Sequence, residues 1–366
     1  MPGTRIELAR HFNYRGILSP LCLPIPPSRQ VKTLYKKEEF FTSSLRNFYY
    51  FFIRSVKYTH LHSLKTFINI HNMYSDTHFH FNLIEENKRV EVLKTFLERK
   101  TFFAQDIGTH CDDLQSRQNL MVDSILKANL NNEDIEKLKR TVCFTAGIWP
   151  AVEAIKDRNS QVDILEKEIL KALHNEDAFL QKITALGECG LDHHWNPSGV
   201  DGRCESDFDS TVFFGECELF EMQLALAKKL KLPVICHSRD AASDTLNCLK
   251  NMDYDNGVIH CCTYLIDDVK KFLDRGWYIG FTGSITYTKK SKMEDMKQLL
   301  QYIPEDRILL ETDAPYLAPV PMRGNPNTPI FIEYVYKMIA EMRSTSVEHL
   351  SAIVDKNCSS LFGVEA

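Results

Sequence analysis

The stretch SDTHFHFN places Asp76, His78 and His80 at alternate positions between Ser75 and Asn82. Successive residues of a strand point to opposite faces, so positions two apart share one. A carboxylate and two imidazoles on one strand face can hold a divalent ion. Other short apolar runs end on residues of the same kind: Glu188 closes KITALGE, His237 closes LPVICH, His260 lies near the end of GVIHC, and Asp313 closes RILLETD. Zinc, manganese and magnesium accept imidazole nitrogen and carboxylate oxygen, and one carboxylate can bridge two ions. His78, His80, Glu188, His237, His260 and Asp313 therefore suffice for two ions. Paired ions about 3.5–4 Å apart activate water and stabilise the departing oxygen in ester or phosphodiester cleavage, so the implied reaction is hydrolysis.

Each donor taken alone has a plainer reading. A lone buried histidine is more often a satisfied core residue, and that reading stands ahead for His237 or His260 singly. Glu188 alone fits a salt-bridged core carboxylate, and Asp313 alone a cap for the loop that follows. The His78–His80 pair resists this treatment, because two inward imidazoles without an ion would each need a separate buried partner.

The elements that must position these groups form an alternating series. Strand-like runs fall at 75–80, 101–108, 142–148, 182–188, 232–237, 257–261, 277–283 and 307–313. Segments with helical period fall between them, at 85–100, 112–128, 151–173, 216–231, 240–251, 266–275, 291–303 and 329–343. Eight strands each followed by a helix give the size and order of a (β/α)8 TIM-type barrel, whose catalytic groups gather at the C-terminal strand ends. A doubly wound open sheet shows the same alternation, but it usually carries a Gly-rich phosphate loop after its first strand, where this chain has His78-Phe79-His80. Residues 195–214, with Gly199 and Gly202, read as a long loop overhanging the active face.

Composition divides the chain in two. Residues 1–72 hold eleven Lys or Arg against three Glu, a net of +8, whereas residues 73–366 hold 33 basic and 46 acidic side chains, a net of −13. The first part is a basic extension, expected to be disordered. Transit-like targeting, a solvated basic arm and a start codon assigned upstream of Met73 are its three readings, with the last favoured. Residues 73–366 are the hydrolase barrel. Eleven scattered cysteines without a CxxC pair fit neither a disulfide framework nor a structural zinc site, so a cytoplasmic, reducing setting is expected. The longest apolar run, at 47–53, falls far short of the roughly 20 residues of a membrane span.

The motifs DTHFH, GECGLD, LPVICHSRDA, GVIHC and LLETDAPYLAP, followed by RGNPNTP, occur in the order and spacing of a known family. The chain resembles the TatD-type metal-dependent hydrolases, a branch of the amidohydrolase-like barrels, over residues 74–364, including the terminal KNCSSLFGV. The resemblance implies that His78 and His80 hold one ion with Asp313, that Glu188 bridges, and that His237 and His260 hold the second. It implies that Asp313 also orients or deprotonates the attacking water. It further implies Mg2+ or Mn2+ as the ions, with Zn2+ an alternative, and a deoxyribonuclease that trims single-stranded DNA ends. Apart from the resemblance, no membrane and no obligate protein partner are expected.

Three departures from the family pattern bear on the substrate. Gly147-Ile148-Trp149-Pro150 stands where the family has G-x-H-P; an indole stacks on a base or fills space but transfers no proton. His260-Cys261-Cys262-Thr263-Tyr264 replaces H-C-F-S-G, and His193 and His194 replace an aromatic pair. Candidate substrate contacts are Trp149, Arg239, Arg323 and Asn325. Arg239 either binds a phosphate or pairs with Asp240 or Glu311. His193 and His194 are expected to be solvated, and Cys189, Cys236 and Cys261 to pack rather than ligate.

Two other functions compete with the nuclease. A carboxylic ester or amide, such as an aminoacyl-tRNA ester, would use the same donors and would suit Trp149 better. A barrel that had lost catalysis and acts as a binding protein is the third reading; retention of six buried ligand-type residues argues against it.

Overall fold

Runs rich in Val, Ile, Phe and Cys form short strands buried on both faces, the pattern of a parallel sheet covered by helices. The computed structural model describes residues 74–174, 183–194 and 210–365. Its sheet has eight parallel strands in chain order. They are β1 (Asp76–Phe79), β2 (Ala104–Asp106), β3 (Val142–Ala146), β4 (Ile183–Asp192), β5 (Val234–Arg239), β6 (Gly257–Ile259), β7 (Tyr278–Phe281) and β8 (Ile308–Leu310). Just beyond β8 the chain meets β1: Asp313 N–H donates to the His78 carbonyl and His80 N–H to the Ala314 carbonyl, both at 2.8 Å. The fold is the expected (β/α)8 barrel.

All eight strand expectations are met, with most ends shorter by a few residues. The helices differ more. They are α1 (Glu86–Glu98), α2 (Leu114–Lys127), α3 (Asn132–Thr141), α4 (Val152–Lys156), α5 (Arg158–Leu173), α6 (Ser210–Leu230), α7 (Ala242–Met252), α8 (Ile266–Asp274), α9 (Met293–Tyr302), α10 (Ile332–Arg343) and α11 (Val347–Phe362). The single helix expected over 151–173 breaks at Asp157 into α4 and α5. Helix α3 is additional: it is mostly charged and buries only Leu138, and its start is fixed by the Asn131 side chain, which accepts from Asp134 N–H. Helix α11 is also additional and ties into β8 through Asn357, whose amide donates to the carbonyls of Glu305 and Ile308, each at 2.8 Å.

Helix α6 begins at Ser210, so part of the loop expected over 195–214 is helical. The rest of that loop, and the basic extension over 1–72, lie outside the described residues. Among the described residues, no helix is long and apolar enough to cross a membrane.

Strand β4 is the longest and is buried over all ten residues. Two glycines let it approach β5 closely. A Cβ on Gly190 (φ +147°) would lie 1.9 Å from the His237 carbonyl oxygen, and one on Gly187 (φ +146°) would lie 2.7 Å from that of Ile235. No side chain fits either gap, and these backbone angles suit only glycine. The G-E-C-G spacing therefore sets Glu188 between two points of close strand contact.

Candidate metal centre

The C-terminal strand ends bring all six predicted donors together. His78 lies in β1 and His80 just after it, Glu188 in β4, His237 in β5, His260 after β6 and Asp313 after β8. Four of them, His78, His80, Glu188 and His260, are buried, while His237 and Asp313 are partly exposed.

The two oxygens of Glu188 face different groups. Glu188 Oε1 lies 2.8 Å from His237 Nδ1 and 2.9 Å from His260 Nε2, and those two nitrogens are 3.1 Å apart. Glu188 Oε2 lies 3.4 Å from His78 Nε2 and 3.9 Å from His80 Nε2. Asp313 Oδ1 completes this second group, 3.7 Å from His78 Nε2 and 3.5 Å from His80 Nε2. Donors bound at about 2.0–2.2 Å around one ion sit roughly 3–3.5 Å from each other; the first group is slightly tighter than this and the second slightly wider. Both ring nitrogens of the fully buried His78 lack a hydrogen-bond partner among the described residues. Such a ring is costly in a dry core, and a cation on its lone pair would satisfy one of the two nitrogens.

The electrostatics run the same way. Burial opposes ionisation of Glu188, but His260, His237 and His78 outweigh it and hold its carboxyl well below the usual range. Burial lowers His260, yet Glu188 and Glu311 raise it well above its ordinary value. For His237, burial is likewise overcome by Asp192 and Glu188, which lift it to about 9. His78 is pushed down by burial and by His260. The negative charge at Glu188 thus calls for positive charge on both sides.

Asp76 shares the buried face of β1 but lies deeper than the donors. Its carboxylate accepts from Thr312 N–H at 2.9 Å and from the Thr312 hydroxyl at 2.7 Å, and burial, partly offset by those bonds, raises it to about 8. It braces the β1–β8 seam below the centre.

The candidate substrate residues are less concentrated. Trp149 is packed edge-on against His237, with ring centroids 5.8 Å apart, and its backbone N–H donates to the Thr109 carbonyl. Arg239 Nη1 is 3.9 Å from Asp192 Oδ2, a partner not foreseen, because Asp240 bonds His194 and Glu311 is buried beneath Cys261. Arg323 lies over the Tyr287 ring at 4.2 Å, and the Asn325 amide donates to Met322 within its own turn.

His193 corrects the expectation of a solvated ring. Its side chain is 11% exposed, with Nε2 3.3 Å from the fully buried Glu216, because the start of α6 folds over it and sets Phe213 against the ring. His194 is partly exposed and bonds Asp240 at 2.7 Å. Cys189 and Cys236 are fully buried, and burial pushes their thiols up, as packing residues require.

Two supporting carboxylates escaped the sequence reading. Asp192 Oδ2 lies 3.1 Å from His237 Nε2. Glu311 accepts from Cys261 N–H at 2.5 Å and lies 3.6 Å from His260 Nδ1. Glu311, His78 and His260 form a third group of donor atoms within 4.8 Å of one another. The signal was present in both cases: Asp192 stands an even number of residues after Glu188, and Glu311 two before Asp313.

Residues 75–363 match the family described as TatD related DNase. The chain belongs to this family. Its relatives include an uncharacterized metal-dependent hydrolase, YabD, of Bacillus subtilis (strain 168), 33% identical over 59% of this chain and 76% of that protein. Another is the 3'-5' ssDNA/RNA exonuclease TatD of Rahnella sp. (strain Y9602), 35% identical over 61% of this chain and 77% of that protein. The crystal structure of YJJV, a TatD homologue from Escherichia coli K12, shares the fold, with a TM-score of 0.63 and 23% identity over 81% of this chain and all of that one. The chain is thus a TatD-type metal-dependent hydrolase. Tyr264, one of its departures from the TatD pattern, has a structural use: its hydroxyl bonds Ser238 Oγ at 2.7 Å and accepts from Ala241 N–H, fixing the turn after His237.

Proposed function

We propose that the chain is an exonuclease that hydrolyses phosphodiester bonds at single-stranded DNA ends with two divalent ions, Mg2+ or Mn2+. The observation that carries this reading is the division of Glu188, one oxygen toward His237 and His260 and the other toward His78 and His80. A carboxylate shared in this way is the bridge that a two-ion centre uses. His78, His80 and Asp313 would hold one ion, and His237 and His260 the other, with Glu188 between them. When bound, the pair supplies a polarised water and neutralises charge on the departing oxygen.

Asp313 accepts the proton of the attacking water, being a partly exposed carboxylate at the mouth of the centre. Trp149 offers a base a stacking surface beside His237. Arg239, held near Asp192, directs its guanidinium to the scissile phosphate, and Arg323 and Asn325 contact the strand beyond it. The relative named as a 3'-5' ssDNA/RNA exonuclease supports this substrate class. A cytoplasmic setting fits cysteines that form no disulfide among the described residues.

The absence of an imidazole at 149 favours one second reading, hydrolysis of a carboxylic ester or amide such as an aminoacyl-tRNA ester. The deciding experiment is shortening of an end-labelled single-stranded oligonucleotide by the purified chain with Mg2+ or Mn2+, after chelation, and with Asp313→Asn. Metal-dependent shortening lost in the variant is expected. A metal-loaded chain that leaves the oligonucleotide intact but cleaves an aminoacyl ester would overturn the nuclease reading.

A further inference from the structure

Among the described residues, one carboxylate outside the six donors reaches a donor ring within hydrogen-bond distance. Asp192 ends β4, is 2% exposed, and places Oδ2 3.1 Å from His237 Nε2. On the opposite edge of that ring, Nδ1 stands 2.8 Å from Glu188 Oε1. Two carboxylates of one strand therefore grip both edges of an imidazole on the next.

The grip has a direction. A neutral imidazole carries one N–H and one lone pair, and a carboxylate anion only accepts. A hydrogen bond to Asp192 puts the proton on Nε2 and leaves the lone pair on Nδ1, facing Glu188. Asp192 is itself fixed: its Oδ1 accepts from His194 N–H at 2.9 Å, and its own N–H donates to Glu216 Oε1 at 2.8 Å. Glu216 is fully buried on α6, and β4 and β5 are in register here, with Gly190 opposite His237 and Asp192 opposite Arg239. The imidazole thus has little freedom to turn over.

We infer that Asp192 is a positioning residue for His237, fixing the ring so that Nδ1 presents its lone pair to the ion shared with His260 and Glu188. The inference rests on the two-ion reading above. Outer carboxylates that orient a ligating histidine typically change metal affinity by about 10–100-fold when removed.

The test uses the full chain, Zn2+ as a diamagnetic probe, chelator competition to resolve the binding events, and nitrogen-15 NMR of the histidine rings. Wild type is expected to take up two Zn2+, with His237 protonated at Nε2. Asp192→Asn should weaken one event about 10–100-fold and leave the other unchanged. Asp244→Asn, whose carboxylate meets the far edge of His193 at 3.7 Å, should change neither event. Equal weakening of both events, or none, in Asp192→Asn overturns the inference. Uptake of one ion by wild type overturns the two-ion reading instead, and the effect of Asp192→Asn on that single ion then decides the role of Asp192. If the variant folds poorly, the wild-type spectrum decides alone: a Zn2+-loaded His237 without a proton on Nε2 removes the argument.

Discussion

Asp313 donates its backbone N–H to the His78 carbonyl at 2.8 Å, across the seam where the end of β8 meets β1. Two candidate ligands from the first and last strands of the barrel are thereby fixed by main chain before any ion binds. Asp313 sits at φ +55°, a left-handed conformation that Asp and Asn tolerate better than other non-glycine residues. Asp313→Asn should preserve seam and conformation, changing unfolding free energy by less than about 0.5 kcal/mol, while hydrolysis falls roughly 10²–10⁴-fold. Asp313→Ala should additionally lose about 1–2 kcal/mol, because alanine lacks the short polar side chain that eases a left-handed backbone. Urea unfolding and initial rates on an end-labelled oligonucleotide check both; equal stability of the two variants would remove the conformational argument.

Arg117 organises the neighbouring strand ends from a fully buried position. It donates to Asp106 Oδ2 at 2.8 Å, to Asp113 Oδ1 at 3.0 Å and to the Thr145 carbonyl at 2.6 Å. Removing one member of a buried ion pair typically costs about 3–5 kcal/mol, because the other charge is left uncompensated. Arg117→Met should show a loss of that size in urea unfolding, and adding Asp106→Asn should restore part of it. A loss below about 1 kcal/mol would place the pair among those of surface weight.

Trp149 tests the nucleic-acid reading from the substrate side. Stacking of a base on an aromatic ring is worth about 1–3 kcal/mol, so Trp149→Ala should raise KM for single-stranded DNA by roughly 5–150-fold. An oligonucleotide lacking the terminal base should show no such change. Equal effects on both substrates would show that the indole only fills space against His237.

Asp355 gives the stability a pH dependence away from the centre. Its Oδ1 accepts from the Ser75 hydroxyl at 2.5 Å and its Oδ2 has no hydrogen-bond partner among the described residues; burial, only partly offset by Ser75, raises the carboxyl to about 7. The folded chain then binds more protons than the unfolded one between about pH 4 and 7, so this contribution falls as pH rises through the window and levels off above it. The loss is on the order of a few kcal/mol. The stability difference between wild type and Asp355→Asn, measured at pH 5 and pH 8, should therefore shift toward the variant at the higher pH. A difference independent of pH would contradict the raised carboxyl.

By itself the sequence located the eight strands and the six candidate donors. Its strands are short apolar runs whose alternation shows which residues share a face, and the His78–His80 pair and the acidic ends of β4 and β8 are rare enough in such runs to stand out. Helices α3 and α11 were less legible. One buries a single apolar residue, and the other is recognised by its contacts with β8 at the opposite end of the barrel.

What only the tertiary structure decided is which groups answer one another. Period two puts Glu188 and Asp192 on related positions of one strand, but that they grip opposite edges of His237 depends on the register of β4 against β5. In sequence Arg239 reads alike as a phosphate ligand or a partner of Asp240 or Glu311; that Asp192 also lies near it is seen only in the register of β4 against β5. The division of Glu188 between two pairs of histidines needs four strands brought round into a barrel, and distances across a closed sheet are not written in spacing along the chain.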